Sequence, residues 1–220
     1  MVESQPLNVA VLVGMHPYDA IRFHDLFAAM DGIKPVHQMV ENWAFAEPEQ
    51  KAEYDVVLFY NMHLKMEAEL PWASPAVPKA IAELGDRPQG IVVLHHAILA
   101  YPDEPVWTDV TGLPDRKFGF YGEQTFPVHI ERPDHPIVRG LSDWTMFDET
   151  YTMQEPGEGC DILLTTDYNP SMRALAWTRR HKQARVFCLQ MGHDGRSWNI
   201  PSFKTVLQRG ILWSAGKLQG

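Results

Sequence analysis

Four short apolar runs in the first half of the chain alternate with segments of helical periodicity. The runs, rich in Val, Ile and Leu, lie at residues 7–13, 34–40, 55–60 and 90–95. Residues 18–30 and 75–84 carry apolar side chains at near-helical spacing. This alternation predicts an α/β fold with a mostly parallel sheet and helices on both faces.

The second half of the chain has a different pattern. From residue 97 the alternation stops, and a segment rich in Pro, Gly and aromatic residues predicts a structureless functional loop or lid. Five short strands are predicted at residues 124–131, 144–153, 161–166, 173–179 and 184–191. The last two, joined by RHKQ, predict a late antiparallel hairpin, and residues 203–215 predict an amphipathic helix. Because no linker interrupts the chain, residues 5–218 are expected to form a single domain.

Composition and charge limit the classes of partner. Of the 220 residues 45% are apolar, and the net charge is −9 with dispersed basic residues, which argues against nucleic acid as a partner. Neither a signal peptide nor an apolar run of membrane-spanning length is found, so we expect a soluble cytoplasmic protein. Cys160 and Cys188 are too few for a disulfide framework and are predicted to be buried and apolar.

Polar residues follow most of the predicted strands. In open α/β sheets, ligands bind beyond the carboxyl ends of the strands, so these residues are expected to share one pocket. A single histidine at such a position is commonly an ordinary loop residue, but five of the ten histidines converge on this edge. The residues concerned are His16, Tyr18 and Asp19; His63; His95 and His96; Asp148 and Glu149; and His193 and Asp194.

Two kinds of chemistry would suit this pocket. His95, His193 and Glu149 could act as catalytic acid and base groups. Alternatively, His16, His95 and His193 could bind a divalent transition metal, although no compact ligand motif such as HExxH is present. No nucleotide cofactor is expected, since GxGxxG and GxxxxGK[ST] are absent, and no GxSxG elbow is present.

Aromatic residues near the histidine pair favour a small-molecule carbohydrate as the partner. Tyr101 and Trp107 fall just after His95 and His96, and aromatic walls with polar groups suit a sugar ring. The substrate-binding set predicted on this basis is His16, Tyr18, Asp19, His96, Tyr101, Trp107, Asp148 and Asp194.

The order of motifs over residues 7–216 resembles the ThuA-like (trehalose utilisation) family, whose fold is similar to that of class I glutamine amidotransferases. The stretches that carry the resemblance include GMHPYD, YDVVLFYNM, GIVVLHHA, DHPIVRGL, DETY, LLTTD and AWTRRHKQARVFCLQMGHD. The resemblance implies a flavodoxin-like domain linked to carbohydrate metabolism. It does not imply glutaminase activity, because His95 stands where those enzymes have a cysteine and Gly195 where they have a glutamate.

The same resemblance points to His16, His95, His135, Asp148, Glu149 and His193 as site residues. His135 precedes a proline and has the alternative of shaping a turn. Asp148 and Glu149 are adjacent in a predicted strand and so face opposite sides, and we expect Glu149 to face the pocket. His95 and His96 are likewise expected to have different roles, with His95 the better site candidate.

Two main functions remain open at the level of sequence, besides a residual amidohydrolase that would need a nucleophile other than cysteine. One is an enzyme, a hydrolase, lyase or isomerase, that acts on a sugar or keto-glycoside by His/Glu acid–base chemistry, with or without a metal. The other is a non-catalytic sugar-binding or regulatory module on an amidotransferase-like fold. Segment 97–123 could be a lid or a contact in a homo-oligomer.

Overall fold

The computed structural model describes residues 5–64 and 75–218, which form a nine-stranded mixed sheet with helices packed against it. The strands are β1 Leu7–Gly14, β2 Ile33–Met39, β3 Val56–Asn61, β4 Gly90–Leu94, β5 Gly119–Ile130, β6 Trp144–Thr152, β7 Asp161–Thr165, β8 Ala174–His181 and β9 Ala184–Leu189. The helices are α1 Ala20–Ala28, α2 Val40–Phe45, α3 Pro48–Ala52, α4 Ala76–Ala82, α5 Pro105–Thr111, α6 Gly195–Trp198 and α7 Pro201–Ser214, with a 3-10 helix at His95–Leu99.

The first half of the sheet is parallel, in the order β2-β1-β3-β4-β9. Its central strands are apolar along their length because side chains on both faces are covered. Val9 and Val11 of β1 pack in the same core as α1 and α7, whereas Ala10 and Leu12 pack with α2, α4 and α5. The carboxyl ends of β1, β3, β4 and β9 therefore meet at one edge of the sheet.

Helix α7 lies unusually close to the sheet at Gly210. A Cβ atom at this position would lie 2.2 Å from the ring of Phe187 on β9. The absence of a side chain is what lets the helix and strand backbones approach, and this contact anchors β9 from one face.

The second half of the sheet is antiparallel, in the order β9-β8-β7-β5-β6. Four of the eight strand pairings in the described residues are antiparallel, so the expectation of a mostly parallel sheet holds for the first half only. The cause is connection length, since short links join antiparallel strands whereas parallel strands need a crossover. The predicted hairpin is present, with Lys182 and Gln183 joining β8 to β9.

The prediction of a structureless segment from residue 97 onward is wrong. The 3-10 helix, α5 and the start of β5 occupy much of it, and Tyr101 and Trp107 are fully buried. The buried guanidinium of Arg116 holds the segment together by donating to the carbonyl oxygens of Tyr101, Pro102 and Glu104 at 2.6, 3.0 and 3.2 Å. The sequence contained no signal for this, because a lone arginine in a Pro-rich stretch is normally solvated.

Candidate active site

His95 stands at the carboxyl end of β4, where the strand turns into the 3-10 helix. Its φ of +53° lies in the left-handed region, which a residue with a side chain rarely adopts outside sharply constrained turns. Nδ1–H donates to the carbonyl oxygen of Gln190 at 2.7 Å, so Nε2 carries the lone pair. The ring is completely buried, and burial, followed by the neighbouring His96 and His193, holds the pKa of His95 well below its usual range. His95 is therefore a neutral imidazole with one free nitrogen.

Tyr151 and Glu149 of β6 approach the free nitrogen of His95 from the same face of the strand. The hydroxyl of Tyr151 lies 2.8 Å from Nε2 of His95. Burial, followed by the carboxylate of Glu149, raises the pKa of Tyr151, so the phenol stays protonated and can donate. A carboxylate oxygen of Glu149 lies 4.0 Å from the same nitrogen, and 14% of the Glu149 side chain is exposed.

His193 completes the group from the loop after β9. Its Nδ1 lies 3.1 Å from Nε2 of His95 and 3.7 Å from a carboxylate oxygen of Glu149. About a third of its side chain, 31%, is exposed, which makes it the most accessible of the three. His95, Glu149 and His193 each offer an atom within 4.8 Å of the others and are called the His-Glu-His cluster below.

Asp148 positions the loop that carries His193. Its buried carboxylate accepts backbone N–H groups of Gly192 at 2.6 Å and His193 at 3.1 Å, while the hydroxyl of Tyr60 donates to the carbonyl oxygen of His193 at 2.8 Å. Burial raises the pKa of Asp148 to about 6, against the opposing effect of these N–H donors. The alternation along β6 thus directs Glu149 to the cluster and Asp148 to the loop.

His96 and His16 form a second layer behind the cluster. Nε2–H of His96 donates to the carbonyl oxygen of Tyr60 at 3.1 Å, and burial lowers the pKa of His96 to about 3. Its ring stacks on His16 at 4.2 Å, and His16 in turn makes an edge contact with His193 at 5.6 Å. Burial lowers the pKa of His16 as well. His96 and His16 are therefore both neutral near pH 7.

A cavity of about 220 Å³ borders Glu149 and His193. On its other side, the guanidinium of Arg196 pairs with Asp194 at 2.5 Å and with Glu123 at 2.8 Å, and lies 4.7 Å from the centre of the Phe147 ring. The cavity thus combines an imidazole, carboxylates, a guanidinium and an aromatic face. Such a lining suits a small ligand with several hydroxyl groups.

Several predicted site residues have other roles in the structure. Tyr101 stacks on His63 at 5.8 Å, and the indole N–H of Trp107 donates to the carbonyl oxygen of Ala97 at 3.0 Å. Both are core side chains and not walls of an open pocket, because the segment after His95 folds back over the sheet. His63 is itself buried against Glu41, at 2.8 Å.

The remaining predictions concern helix ends and turns. Asp19 caps α1 by accepting the N–H of Arg22 at 3.1 Å, and Asp194 caps α6 in the same way with Arg196 at 2.8 Å. Tyr18 packs edge-on against Phe23 at 5.3 Å. Nδ1 of His135 accepts the N–H of Ile137 at 3.3 Å, consistent with the turn-shaping alternative.

Three residues near the cluster were not predicted as site residues. Tyr151 shares a strand face with Glu149 two residues earlier, so period-two alternation could have identified it. Gln190 directly follows β9 and could have been included by the strand-end argument. Arg196 follows a short helix start and had no distinguishing signal. Neither cysteine belongs to the cluster: Cys188 is buried in the core, where burial raises the pKa of its thiol.

The comparisons with solved structures show a shared fold. A ThuA-like protein from Parabacteroides merdae superimposes with a TM-score of 0.77 at 17% identity, covering 98% of this chain and 92% of that chain. A ThuA-like protein from Bacteroides uniformis gives 0.71 at 17% identity, covering 100% and 95%. A glutamine amidotransferase from Thermotoga maritima gives 0.52 at 10% identity, covering 94% and 98%. At these identities the similarity concerns the fold alone.

No curated protein sequence matches the chain significantly. Within the described residues, none of the helices has the length and hydropathy that a bilayer crossing requires.

The family described as trehalose utilisation, ThuA, matches residues 19–214. Because this match spans most of the 220 residues, the protein belongs to the ThuA family.

Proposed function

We propose that this protein is an enzyme that acts on a sugar or on an oxidised (keto) sugar derivative at the His-Glu-His cluster. The family, described as trehalose utilisation, suggests a role related to carbohydrates. The observation that carries the proposal is the convergence of Glu149 and His193 on one cavity, with the neutral His95 directly behind them. We further propose that the parallel half is a flavodoxin-like unit and that residues 5–218 act as one domain.

The geometry gives His95 and His193 different roles. His95 is completely buried, so a substrate in the cavity would meet His193 and Glu149 first. His193 and Glu149 are accordingly the proposed catalytic residues, since a partly exposed imidazole can exchange a proton with a hydroxyl group or with a carbon next to a carbonyl. His95 is a positioning residue that acts through His193, with its own tautomer set by Gln190.

The ion-pair network around Arg196 is the proposed subsite for the sugar hydroxyl groups. Asp194 holds the guanidinium through both of its carboxylate oxygens, and Glu123 holds it through Oε1. Phe147 supplies an apolar face next to it. Glutaminase chemistry is not proposed, because the residue at the turn after β4 is His95 and Cys188 lies in the core.

The proposal is tested by product analysis. The purified protein is incubated with trehalose, other glycosides and their keto derivatives, and the products are followed by NMR. Glu149→Gln and His193→Ala should each lower turnover about 100-fold or more, the usual contribution of a catalytic acid or base. His95→Asn keeps a donor for the Gln190 carbonyl but removes the free nitrogen, and should also lower turnover.

His129→Ala is the matched control. His129 also pairs with a carboxylate, that of Asp143 at 2.8 Å, but at the surface, where 40% of its side chain is exposed. This variant should keep full activity, and all variants should keep their melting temperatures within a few degrees. Full activity of both Glu149→Gln and His193→Ala on an identified substrate would contradict the proposal.

A non-catalytic sugar-binding module is the second candidate, and one observation favours it. The strained position after β4, where related folds place a nucleophile, holds a histidine whose side chain is completely buried. Saturable binding of a glycoside by calorimetry, with no product after prolonged incubation, would support this alternative over the enzyme.

A further inference from the structure

We propose that the His-Glu-His cluster is a binding site for one divalent transition metal ion, held by Nε2 of His95, Nδ1 of His193 and the carboxylate of Glu149. This inference rests on the proposed function, because the ion would serve the same reaction, but binding itself can be measured without a substrate. It replaces His16, considered from the sequence, by Glu149, since His16 instead stacks on His96.

The spacing of the three side chains fits a single ion. Two ligands about 2.1 Å from one ion lie ~3.4 Å apart at a tetrahedral angle. Nε2 of His95 and Nδ1 of His193 are 3.1 Å apart, close to this value. Oε2 of Glu149 lies 3.7 Å from Nδ1 of His193, and Oε1 lies 4.0 Å from Nε2 of His95, so the carboxylate faces both nitrogens and could share an ion with them after a side-chain rotation.

The free nitrogen of His95 is in the state that a metal ligand requires. Its other nitrogen donates to a backbone carbonyl, that of Gln190, which is the arrangement commonly found for metal-bound histidines. The hydroxyl of Tyr151 and Nδ1 of His193 both lie within hydrogen-bonding distance of Nε2 of His95, at 2.8 and 3.1 Å.

The three ligands are held by regular structure on different segments. His95 ends β4, Glu149 lies within β6, and the backbone of His193 is fixed by Asp148 and Tyr60. Such support limits the ordering that binding would otherwise require. Among the described residues, this is the group of at least three potential ligand side chains whose atoms come within 4.8 Å of one another.

The donor set selects the type of ion. Two imidazole nitrogens and one carboxylate favour zinc, cobalt, nickel or iron(II) over magnesium and calcium, which prefer oxygen ligands. Three protein ligands also leave a coordination position open, and the exposed sides of Glu149 and His193 border the cavity. An ion there would polarise a sugar oxygen or a bound water molecule.

The test uses the 220-residue chain, stripped with a chelator and dialysed. Zn²⁺ is titrated by calorimetry, and Co²⁺ binding is followed by its visible absorption, which reports on the ligand geometry. We expect one equivalent per chain with the absorption of a four- or five-coordinate ion. Glu149→Gln and His193→Ala are the test variants because both side chains are partly exposed, and each should weaken binding at least about 100-fold.

His129→Ala is again the control, since His129 lies near both Asp143 and Asp167 but at the surface. It should bind Zn²⁺ like the unsubstituted protein, and circular dichroism should show that all variants are folded. Absence of binding to the unsubstituted protein, or equal binding by both test variants, would overturn the inference.

The two proposals fail separately. Turnover of a keto-glycoside by a protein that binds neither Zn²⁺ nor Co²⁺ would overturn the metal site while leaving the enzyme proposal intact. One tightly bound equivalent of metal with no turnover of any glycoside would support the metal site and count against the enzyme.

Discussion

The neutral state of buried His96 should make the protein sensitive to mild acid, and the effect can be measured with one substitution. Its pKa of about 3 in the folded protein lies far below the value near 6.5 expected after unfolding. Below pH 6.5, His96 therefore becomes protonated in the unfolded chain but stays neutral in the folded chain. Stability from this residue is present above pH 6.5 and is lost as the pH falls from 6.5 towards 3.

The magnitude follows from the distance of the assay pH from 6.5. A pH of 5.0 lies about one and a half units below the pKa of His96 in the unfolded chain, and each unit corresponds to about 1.36 kcal/mol. Protonation of His96 in the unfolded chain therefore lowers the free energy of unfolding by about 2 kcal/mol at pH 5.0 relative to pH 7.5. This figure does not depend on the folded-state pKa of His96 as long as that pKa lies well below 5.

His96→Gln is the appropriate perturbation. A glutamine can still donate to the carbonyl oxygen of Tyr60, which His96 does at 3.1 Å, but it does not titrate. Urea unfolding of both proteins is measured at pH 7.5 and pH 5.0. The unsubstituted protein should lose about 2 kcal/mol more than the variant over this interval.

The comparison of the two proteins is essential because Asp148 acts in the opposite direction. Burial raises its pKa to about 6, so its contribution to stability increases as the pH falls below 6. This contribution is common to both proteins and cancels in the difference. An equal loss of stability in the two proteins would refute the reasoning that burial keeps His96 neutral.

Three further predictions concern single contacts. Tyr151→Phe removes the hydroxyl 2.8 Å from Nε2 of His95 and should lower kcat about 10-fold with little change in melting temperature; unchanged kcat would exclude a role for this contact. Trp107→Ala should lower the free energy of unfolding by about 3–5 kcal/mol in urea, as for a core side chain, whereas a pocket wall would cost far less. Gly210→Ala places a methyl group against the ring of Phe187 and should cost about 1–3 kcal/mol, and a neutral effect in thermal unfolding would show that α7 can move outward.

Local pattern was sufficient for the elements that depend on it. The apolar runs of β1, β3 and β4 predict buried parallel strands because only a strand covered on both faces has such a sequence. The β8–β9 hairpin follows from two strands and a short turn. The alternation of adjacent residues also separates the directions of Asp148 and Glu149.

Predictions from local sequence pattern were wrong where contacts with residues elsewhere in the chain determine the structure of a segment. The segment after residue 97 contains prolines and glycines typical of a loop, yet Arg116 binds its carbonyl oxygens and Trp107 enters the core. Tyr101 was predicted to form an aromatic wall for substrate because it follows the histidine pair, but it packs in the core.

The sequence by itself determined the α/β class and the edge of the sheet at which the histidines gather, because these depend on periodicity and on strand order along the chain. The resemblance of its motifs indicated the family. Only the tertiary structure decided which histidine meets which partner. Gln190 selects the tautomer of His95, Asp148 places His193, and packing turns His96 towards Tyr60. These contacts join residues far apart in the chain, and hydrogen-bond geometry and burial set them after the strands have paired.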